Sequence, residues 1–205
     1  MELSRVGADL LGQTEAALLS ALARLSDPVT GRRLAALAGQ ASPATVHRLL
    51  SKFERAGLVL VQKHPHAHLY RLNREHLYWQ PIEDILAAPA QLEQAIVERV
   101  HEELGDRARV ALFGSVARGE ATSQSDVDVL VVPPGDVSVE RREVAARGIE
   151  DLILAMTGNP GQVVHLNDDE IAELDRHHSP LVRSIRASSR PIDGRGPFLP
   201  ADQLT

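Results

Sequence analysis

The sequence predicts two domains, a mainly helical one followed by an α/β one with a mixed sheet. The chain has 205 residues, which is enough for two small cores. Residues 1–80 carry ten basic and six acidic residues, a net charge of +4, whereas the remainder carries twelve and twenty-two, a net charge of −10. Apolar residues recur at helical spacing in the first part, and the second part alternates short apolar runs with helical segments. The opposite charges indicate domains with different partners.

Breaks in these patterns predict the domain boundaries. We expect a first domain at 1–80, a linker with the start of a connecting helix at 81–94, a second domain at 95–193 and a loose C-terminal tail at 194–205. The absence of cysteine excludes disulfides and thiolate metal sites. Because no apolar run approaches membrane-spanning length and no basic leader precedes one, we expect a cytoplasmic protein without a membrane partner.

The first domain opens with three helical patterns. The spacing predicts helices over 14–25, 31–39 and 42–56. Ser42 is the expected N-cap of the third helix, and Pro43 is its first residue. Apolar positions at i, i+3, i+4 and i+7 place four residues of this helix in the core: Val46, Leu49, Leu50 and Phe53.

A hairpin pattern follows the three helices. Two strand-like runs flank His64-Pro65-His66-Ala67, which predicts a turn. Two helices, a short turn, a third helix and a hairpin are the element order of a winged helix-turn-helix. Residues 14–74 resemble the DNA-binding domains of ArsR- and MarR-like regulators. The resemblance implies transcription regulation on double-stranded DNA by a homodimer.

Candidate DNA contacts lie on the third helix and the hairpin. The N-terminal half of such a helix reaches base edges in the major groove, which assigns base contacts to Ser42, Thr45 and Arg48. Four further cations would meet phosphates: Lys52, Arg55, Lys63 and Arg71. The alternative is a solvated basic face that binds protein. Whether the alternating His64, His66 and His68 bind a metal or form a wing tip stays open.

The second domain carries a Gly-Ser turn between two apolar strands. The run "RVALF" predicts a strand that ends just before Gly114. Gly114 removes the Cβ that would obstruct a close approach. Ser115 is expected to cap a short helix and to present its hydroxyl and free backbone N–H groups to an anion. Arg118 would lie on the first turn of this helix, and Gly119 would end it.

Two aspartates open the strand that follows the turn. Asp126 and Asp128 are expected on one face, roughly 6.5 to 7 Å apart by strand rise. Mg²⁺ prefers oxygen ligands and binds through one or two carboxylates plus substrate phosphates. Two carboxylates opposite a phosphate-binding turn therefore point to metal-assisted nucleotidyl transfer.

These two segments together resemble a known signature. Gly114-Ser115-x-Ala117-Arg118-Gly119, followed by Ser125-Asp126-x-Asp128, is similar to the motif of the minimal nucleotidyltransferases of the DNA polymerase β superfamily, over roughly residues 95–193. The resemblance implies a polymerase-β-like α/β fold, a bound nucleoside triphosphate, Mg²⁺ or Mn²⁺ as cofactor, and Asp126 and Asp128 as catalytic metal ligands. It also implies five nucleotide-binding residues: Gly114, Ser115, Arg118, Gly119 and Ser125.

The patterns after this motif predict the rest of the α/β layer. We expect a helix over 138–156, a strand at "GQVVHL" and a further helix after Asn167. The apolar side chains expected to face inward from the first helix are Val144, Ile149, Leu152, Ile153 and Met156.

The sequence departs from the superfamily at the third carboxylate, which active members carry on a later strand. Our register puts Val164 at that position, and a slip of one residue gives Val163 or His165. None of these is a carboxylate. The alternatives are His165 as a base, or Asp168 or Asp169 reaching back from the next helix.

Three functions remain from these observations. The first is a DNA-binding transcriptional regulator whose second domain binds a Mg²⁺-nucleoside triphosphate, with turnover undecided. The second is an active Mg²⁺-dependent nucleotidyltransferase that transfers a nucleoside monophosphate to a hydroxyl of a protein, small molecule or nucleic acid. The third is an antitoxin-like interaction protein. The retained motif favours nucleotide binding, and the missing carboxylate favours the regulator over the enzyme.

Overall fold

A computed structural model describes residues 1–39 and 41–195 of the chain. Contacts between residues divide it into two compact units. The first holds Ser4–Pro89 together with Glu2, and the second holds Ala90–Thr205 together with Met1 and Leu3. Among the described residues, no helix combines the length and the apolar character needed to cross a membrane.

The first unit contains helices and one three-stranded antiparallel sheet. Its elements are α1 (Ala8–Leu11), α2 (Gln13–Ala23), β1 (Val29–Thr30), α3 (Gly31–Leu37), α4 (Pro43–Arg55), β2 (Val59–Lys63), β3 (His68–Leu72) and the part of α5 (Trp79–Leu104) up to Pro89. The strand order is β1-β3-β2. The short strand β1 lies between the first two predicted helices, where the sequence analysis predicts no element. It forms by pairing with β3, in which Val29 lies opposite Tyr70.

Helix α4 confirms the predicted apolar face. Its four predicted core side chains are at most 5% exposed, and all belong to one buried cluster of the unit: Val46, Leu49, Leu50 and Phe53. The Ser42 hydroxyl accepts the Thr45 N–H at 3.1 Å and caps the helix, as predicted. The cap and the buried stripe together fix which face of α4 points to solvent.

The second unit is a mixed α/β layer. It contains the remainder of α5, then β4 (Arg109–Leu112), α6 (Gly114–Ala117), β5 (Val127–Val132), α7 (Val139–Thr157), β6 (Gly161–His165), α8 (Asp168–Arg176), α9 (Pro180–Ser188) and β7 (Arg190–Pro191). The strand order is β6-β5-β4-β7. Because β5 and β6 are parallel and the other pairs antiparallel, the predicted mixed sheet is confirmed.

Alternating residues of β5 pack on opposite faces of this sheet. Val127, Val129 and Val131 belong to a buried cluster with Ile96 of α5 and Ile149 of α7. Leu130 and Val132 belong to a second cluster, which includes Ile171 of α8 and Ile185 of α9. Asp128 therefore shares the face of Leu130, the one that packs against α8 and α9.

The structure corrects the predicted inward face of the long helix and describes only part of the predicted C-terminal tail. Helix α7 begins at Val139, one residue after the predicted start, and Val144 and Met156 are 56% and 45% exposed, not inward. Ala145 and Ala146 are buried in their place, which lets α7 pack closely on the sheet. Of the predicted loose tail, residues 196–205 lie outside the described residues, and Arg195 donates hydrogen bonds to backbone carbonyls near β4.

Candidate active site

The candidate site lies where β4 ends and β5 begins. Leu112 lies opposite Val129, and the Phe113 N–H donates to the Asp128 carbonyl at 3.0 Å. Gly114 consequently lies beside the Asp128 side chain. Its φ is 67°, and a Cβ on it would overlap the Asp128 carboxylate. Only glycine fits here, because any side chain would displace Asp128.

The two aspartates and Arg118 act on one another electrostatically. Asp128 is half-buried on β5, whereas Asp126 is exposed and lies one residue before the strand rather than within it. Burial raises the pKa of Asp128, the charge of Asp126 raises it further, and Arg118 lowers it. The site therefore brings together two like charges that Arg118 offsets only in part.

The Gly-Ser turn differs in detail from the predicted turn. Ser115 lies inside α6 and does not cap it, since the N-cap residue is Phe113, which has no capping side chain. Arg118 is the C-cap of α6 and not part of its first turn, because the helix is only four residues long. Its guanidinium pairs with Glu120 at 2.8 Å. Gly119, with a φ of 72°, ends the turn as predicted.

Ser125 belongs to a turn of its own. Its hydroxyl accepts the Thr122 N–H at 2.9 Å, and its N–H donates to the Thr122 carbonyl at 3.1 Å. The hydroxyl therefore already stabilises the loop that leads into Asp126.

The register of β6 changes which residue lies opposite Asp128. Gln162 is its partner, whereas Val164 lies opposite Leu130. The predicted register was wrong by two residues, because a parallel strand with apolar residues on both faces offers no local signal of register. The conclusion about charge is unchanged, since neither residue is a carboxylate.

Two of the three alternative sources of a third polar group, His165 and Asp168, lie elsewhere. His165 lies opposite Val131, so it points to the sheet face away from Asp128. Asp168 pairs with Arg109, which lies opposite Val132 at the far end of β5. Neither side chain reaches the candidate site.

Asn159 is the residue that sequence reasoning missed. It is 1% exposed, and its amide nitrogen donates to the Ser125 carbonyl at 2.9 Å and to the Ser123 carbonyl at 3.3 Å. It stands in the run "TGNPG", whose composition indicates only a turn. A polar residue between an apolar helix and an apolar strand was the one available signal.

The predicted DNA-contacting residues lie on α4 and the hairpin. Six of the seven are exposed and Thr45 is half-buried: Ser42, Thr45, Arg48, Lys52, Arg55, Lys63 and Arg71. Lys52 pairs with Glu15 at 3.7 Å and Lys63 with Glu54 at 3.3 Å. In the described part of the chain, no acidic side chain pairs with the other three cations, which are Arg48, Arg55 and Arg71.

The three alternating histidines do not share a strand. His64 and His66 lie in the turn between β2 and β3, and His68 is the first residue of β3. Within residues 1–39 and 41–195, no group of three or more His, Asp or Glu side chains could hold a metal ion.

Comparisons with known proteins gave one family match and one similar solved structure. Residues 93–193 match the family described as "Nucleotidyltransferase domain". The comparison with curated proteins gave no match. A solved structure titled "Crystal structure of the toxin-antitoxin with AMP-PNP" matches 49% of this chain and 71% of its own, with 15% sequence identity and a TM-score of 0.37. The residues matched by this family contain the whole candidate site.

Proposed function

We propose that residues 93–193 bind a nucleoside triphosphate together with Mg²⁺ or Mn²⁺, and that transfer from this nucleotide is slow. The family match supports a nucleotidyltransferase in this part of the chain. The observation that carries the proposal is the contact between Gly114 and Asp128. It places the turn on which phosphates would lie directly beside the carboxylate that would bind the metal.

The donor atoms at this site suit a hard divalent cation. Mg²⁺ commonly binds through one or two carboxylates and takes its other ligands from water and substrate phosphates. Asp126 and Asp128 supply the two carboxylates, and their mutual repulsion would fall when a cation binds between them. When bound, such a metal stabilises the charge that develops on the phosphoryl oxygens.

The residues of the turn would hold the phosphates. Ser115 makes no side-chain hydrogen bond within the described residues, so its hydroxyl can donate to a phosphate oxygen. Arg118 would exchange its exposed pair with Glu120 for a charge-assisted bond to phosphate. Gly119 and Ser125 would contribute by shaping the turns on either side.

Slow transfer follows from the residue opposite Asp128. Gln162 is exposed and neutral, so it adds no negative ligand and accepts no proton from an attacking hydroxyl. Binding depends on the aspartates and the turn, whereas transfer also needs a base. The site therefore retains the groups for binding and lacks one for turnover.

Incubation of the chain with labelled nucleoside triphosphates, Mn²⁺ and cell extract tests this proposal. We expect metal-dependent binding with little labelled product. Gln162→Glu adds a carboxylate at an exposed position and should raise product formation, whereas Val164→Asp is the control that adds one opposite Leu130. Asp126→Asn on the Gln162→Glu background should remove the gain. Rapid turnover by the parent would contradict slow transfer.

Double-stranded DNA is the second proposed ligand, bound by the Ser4–Pro89 unit as a winged helix-turn-helix. The order of α3, α4 and the β2–β3 hairpin supports it, as does the capped helix α4 with its cationic exposed face. Arg48 and Arg55 lie on that face and have no acidic partner among the described residues, so they are available for DNA. On this proposal the protein is a transcriptional regulator whose second domain senses a nucleotide.

A further inference from the structure

Asp126 is placed by contacts outside the sheet. It precedes β5, so no ladder hydrogen bond fixes its backbone. Asp128, in contrast, lies within β5, and its carbonyl accepts the Phe113 N–H. The two carboxylates that would share a metal are thus held by different means.

One dipeptide holds the peptide groups on both sides of Asp126. Before it, the Ser125 carbonyl accepts the Asn159 side-chain amide at 2.9 Å. After it, the Val127 N–H donates to the Pro160 carbonyl at 2.8 Å. Rotation of either peptide would break one of these bonds, so together they fix the direction in which the Asp126 side chain leaves the backbone.

Asn159 is well suited to hold this segment. Its side chain is buried, so water cannot replace the hydrogen bonds that it would lose. Its Oδ1 accepts the Met1 nitrogen at 2.7 Å, which leaves the amide nitrogen to the Ser123 and Ser125 carbonyls. Its own backbone N–H donates to the Thr157 hydroxyl at 3.0 Å, a bond in which the side-chain amide takes no part.

We propose that Asn159 is a positioning residue for Asp126 and sets the affinity of the site for the divalent cation and its nucleotide. The inference rests on the proposed nucleotide binding at Asp126 and Asp128. Groups that orient a metal ligand typically change metal affinity by about 10- to 100-fold when they are removed. Asn159 acts in this way through the Ser125–Asp126 peptide, without touching the metal.

Three variants test this proposal. Asn159→Ala removes both donations to the loop. Asn159→Ser can restore one of them and is the variant to use if the alanine variant does not fold. Thr157→Val is the matched control, because it removes the hydroxyl contacts of the same turn to Ile153 and Asn159 and leaves the amide of Asn159 in place. Melting temperatures of all three report the loss of stability.

The first readout is the dissociation constant of Mn²⁺ measured with a non-hydrolysable nucleoside triphosphate analogue. We expect a rise of about 10- to 100-fold for Asn159→Ala and of about 2- to 10-fold for Asn159→Ser, as for one hydrogen bond. Thr157→Val should stay within about twofold of the parent, even with a similar melting temperature to Asn159→Ala.

The second readout is amide hydrogen exchange at residues 123–127 in the metal-free protein, which should accelerate in Asn159→Ala and not in Thr157→Val. Parent-like affinity in the Asn159 variants, or an equal loss in Thr157→Val, would overturn the inference. If the parent itself fails to bind Mn²⁺ and nucleotide, the proposed function is at fault instead.

Discussion

In the second unit, the acidic side chains at the two ends of the sheet differ in whether arginines neutralise them. Where β5 ends, acids are paired with arginines: Asp168 contacts Arg109, and Asp136 contacts Arg107 at 2.9 Å. Where β5 begins, the charge of Asp126 acts on Asp128, and Arg118 is itself paired with Glu120. One end is balanced in charge by the chain, and the other keeps an excess of negative charge.

We infer from this difference that the paired acids at one end have a structural role, whereas the two aspartates at the other end are candidate metal ligands. Exposed ion pairs contribute only about 0–1 kcal/mol each, so removing one changes little beyond local geometry. Two like charges in partial burial are unfavourable unless something outside the chain compensates them. A divalent cation with a nucleotide is the compensation that we propose.

The largest expected effect is the difference in nucleotide binding between two variants, each of which neutralises one acid at one end of the sheet. Asp128→Asn should weaken metal-dependent nucleotide binding by more than about 100-fold, since it removes a ligand and not merely an orienting group. Asp168→Asn should leave binding within about twofold, because it breaks only an exposed pair at the other end. Calorimetric titration with Mn²⁺ and a non-hydrolysable analogue measures both. Equal losses of binding in the two variants would show that the two ends of the sheet do not differ in metal binding.

Two glycine substitutions separate the cost of a positive φ from the cost of a steric contact with Asp128. Gly114→Ala puts an L side chain at positive φ, which costs about 1–2 kcal/mol, and it also forces the Cβ against Asp128, which adds about 1–3 kcal/mol. Gly105→Ala has a similar φ of 87° with no atom within 4 Å of the added Cβ, so it isolates the first effect. Urea denaturation of both variants gives the difference. A loss no larger for Gly114→Ala would mean that Asp128 moves away freely.

The first unit offers the same contrast between paired and unpaired charges. Arg48 is exposed and unpaired among the described residues, and Arg48→Ala should cost about 1–3 kcal/mol of binding to a specific DNA site. Lys63 must first leave Glu54, so Lys63→Ala should weaken binding less and lower the salt dependence by about one unit. Gel shifts of the full chain across a salt series measure both. Absence of duplex binding by the parent at low salt would contradict the DNA proposal.

The smallest expected effect is on the pH dependence of stability. Because the pKa of Asp128 is raised above its ordinary 3.8, the folded chain holds this proton more tightly than the unfolded chain. The contribution of Asp128 to the free energy of unfolding is therefore favourable at acid pH and is lost as pH rises through the raised pKa. Asp128→Asn should remove this slope in urea denaturation without metal. An unchanged slope would show that Asp128 does not titrate abnormally.

Local patterns predicted those parts of the fold that depend on local residues. The cap and buried stripe of α4 follow from side-chain spacing along one helix, and the α/β layer follows from the alternation of strand and helix patterns. The predicted inward face of α7 was wrong at Val144 and Met156, because the small residues Ala145 and Ala146 are buried there instead. Strand β1 was missed because two residues carry no period.

The candidate site was predictable as a motif but not as a set of contacts. Gly114 and Asp128 could be singled out because their types and spacing have a chemical reason. Gln162 could not be placed opposite Asp128, since the register of β6 is set by its pairing with β5, which is distant in sequence, and Val163 and Val164 give no local signal of it. Asn159 acts through two carbonyls that are 34 and 36 residues away in the chain, and no local pattern reports such a contact.

The most direct measurement of the central claim is equilibrium dialysis of the full chain against a labelled nucleoside triphosphate, with Mn²⁺ and then with excess EDTA. We predict saturable binding that EDTA abolishes and that the double variant Asp126→Asn, Asp128→Asn lacks, while Asp136→Asn at the other end of the sheet binds like the parent. Binding that survives EDTA or the double variant, or no binding by the parent, would contradict a metal–nucleotide site at these two aspartates.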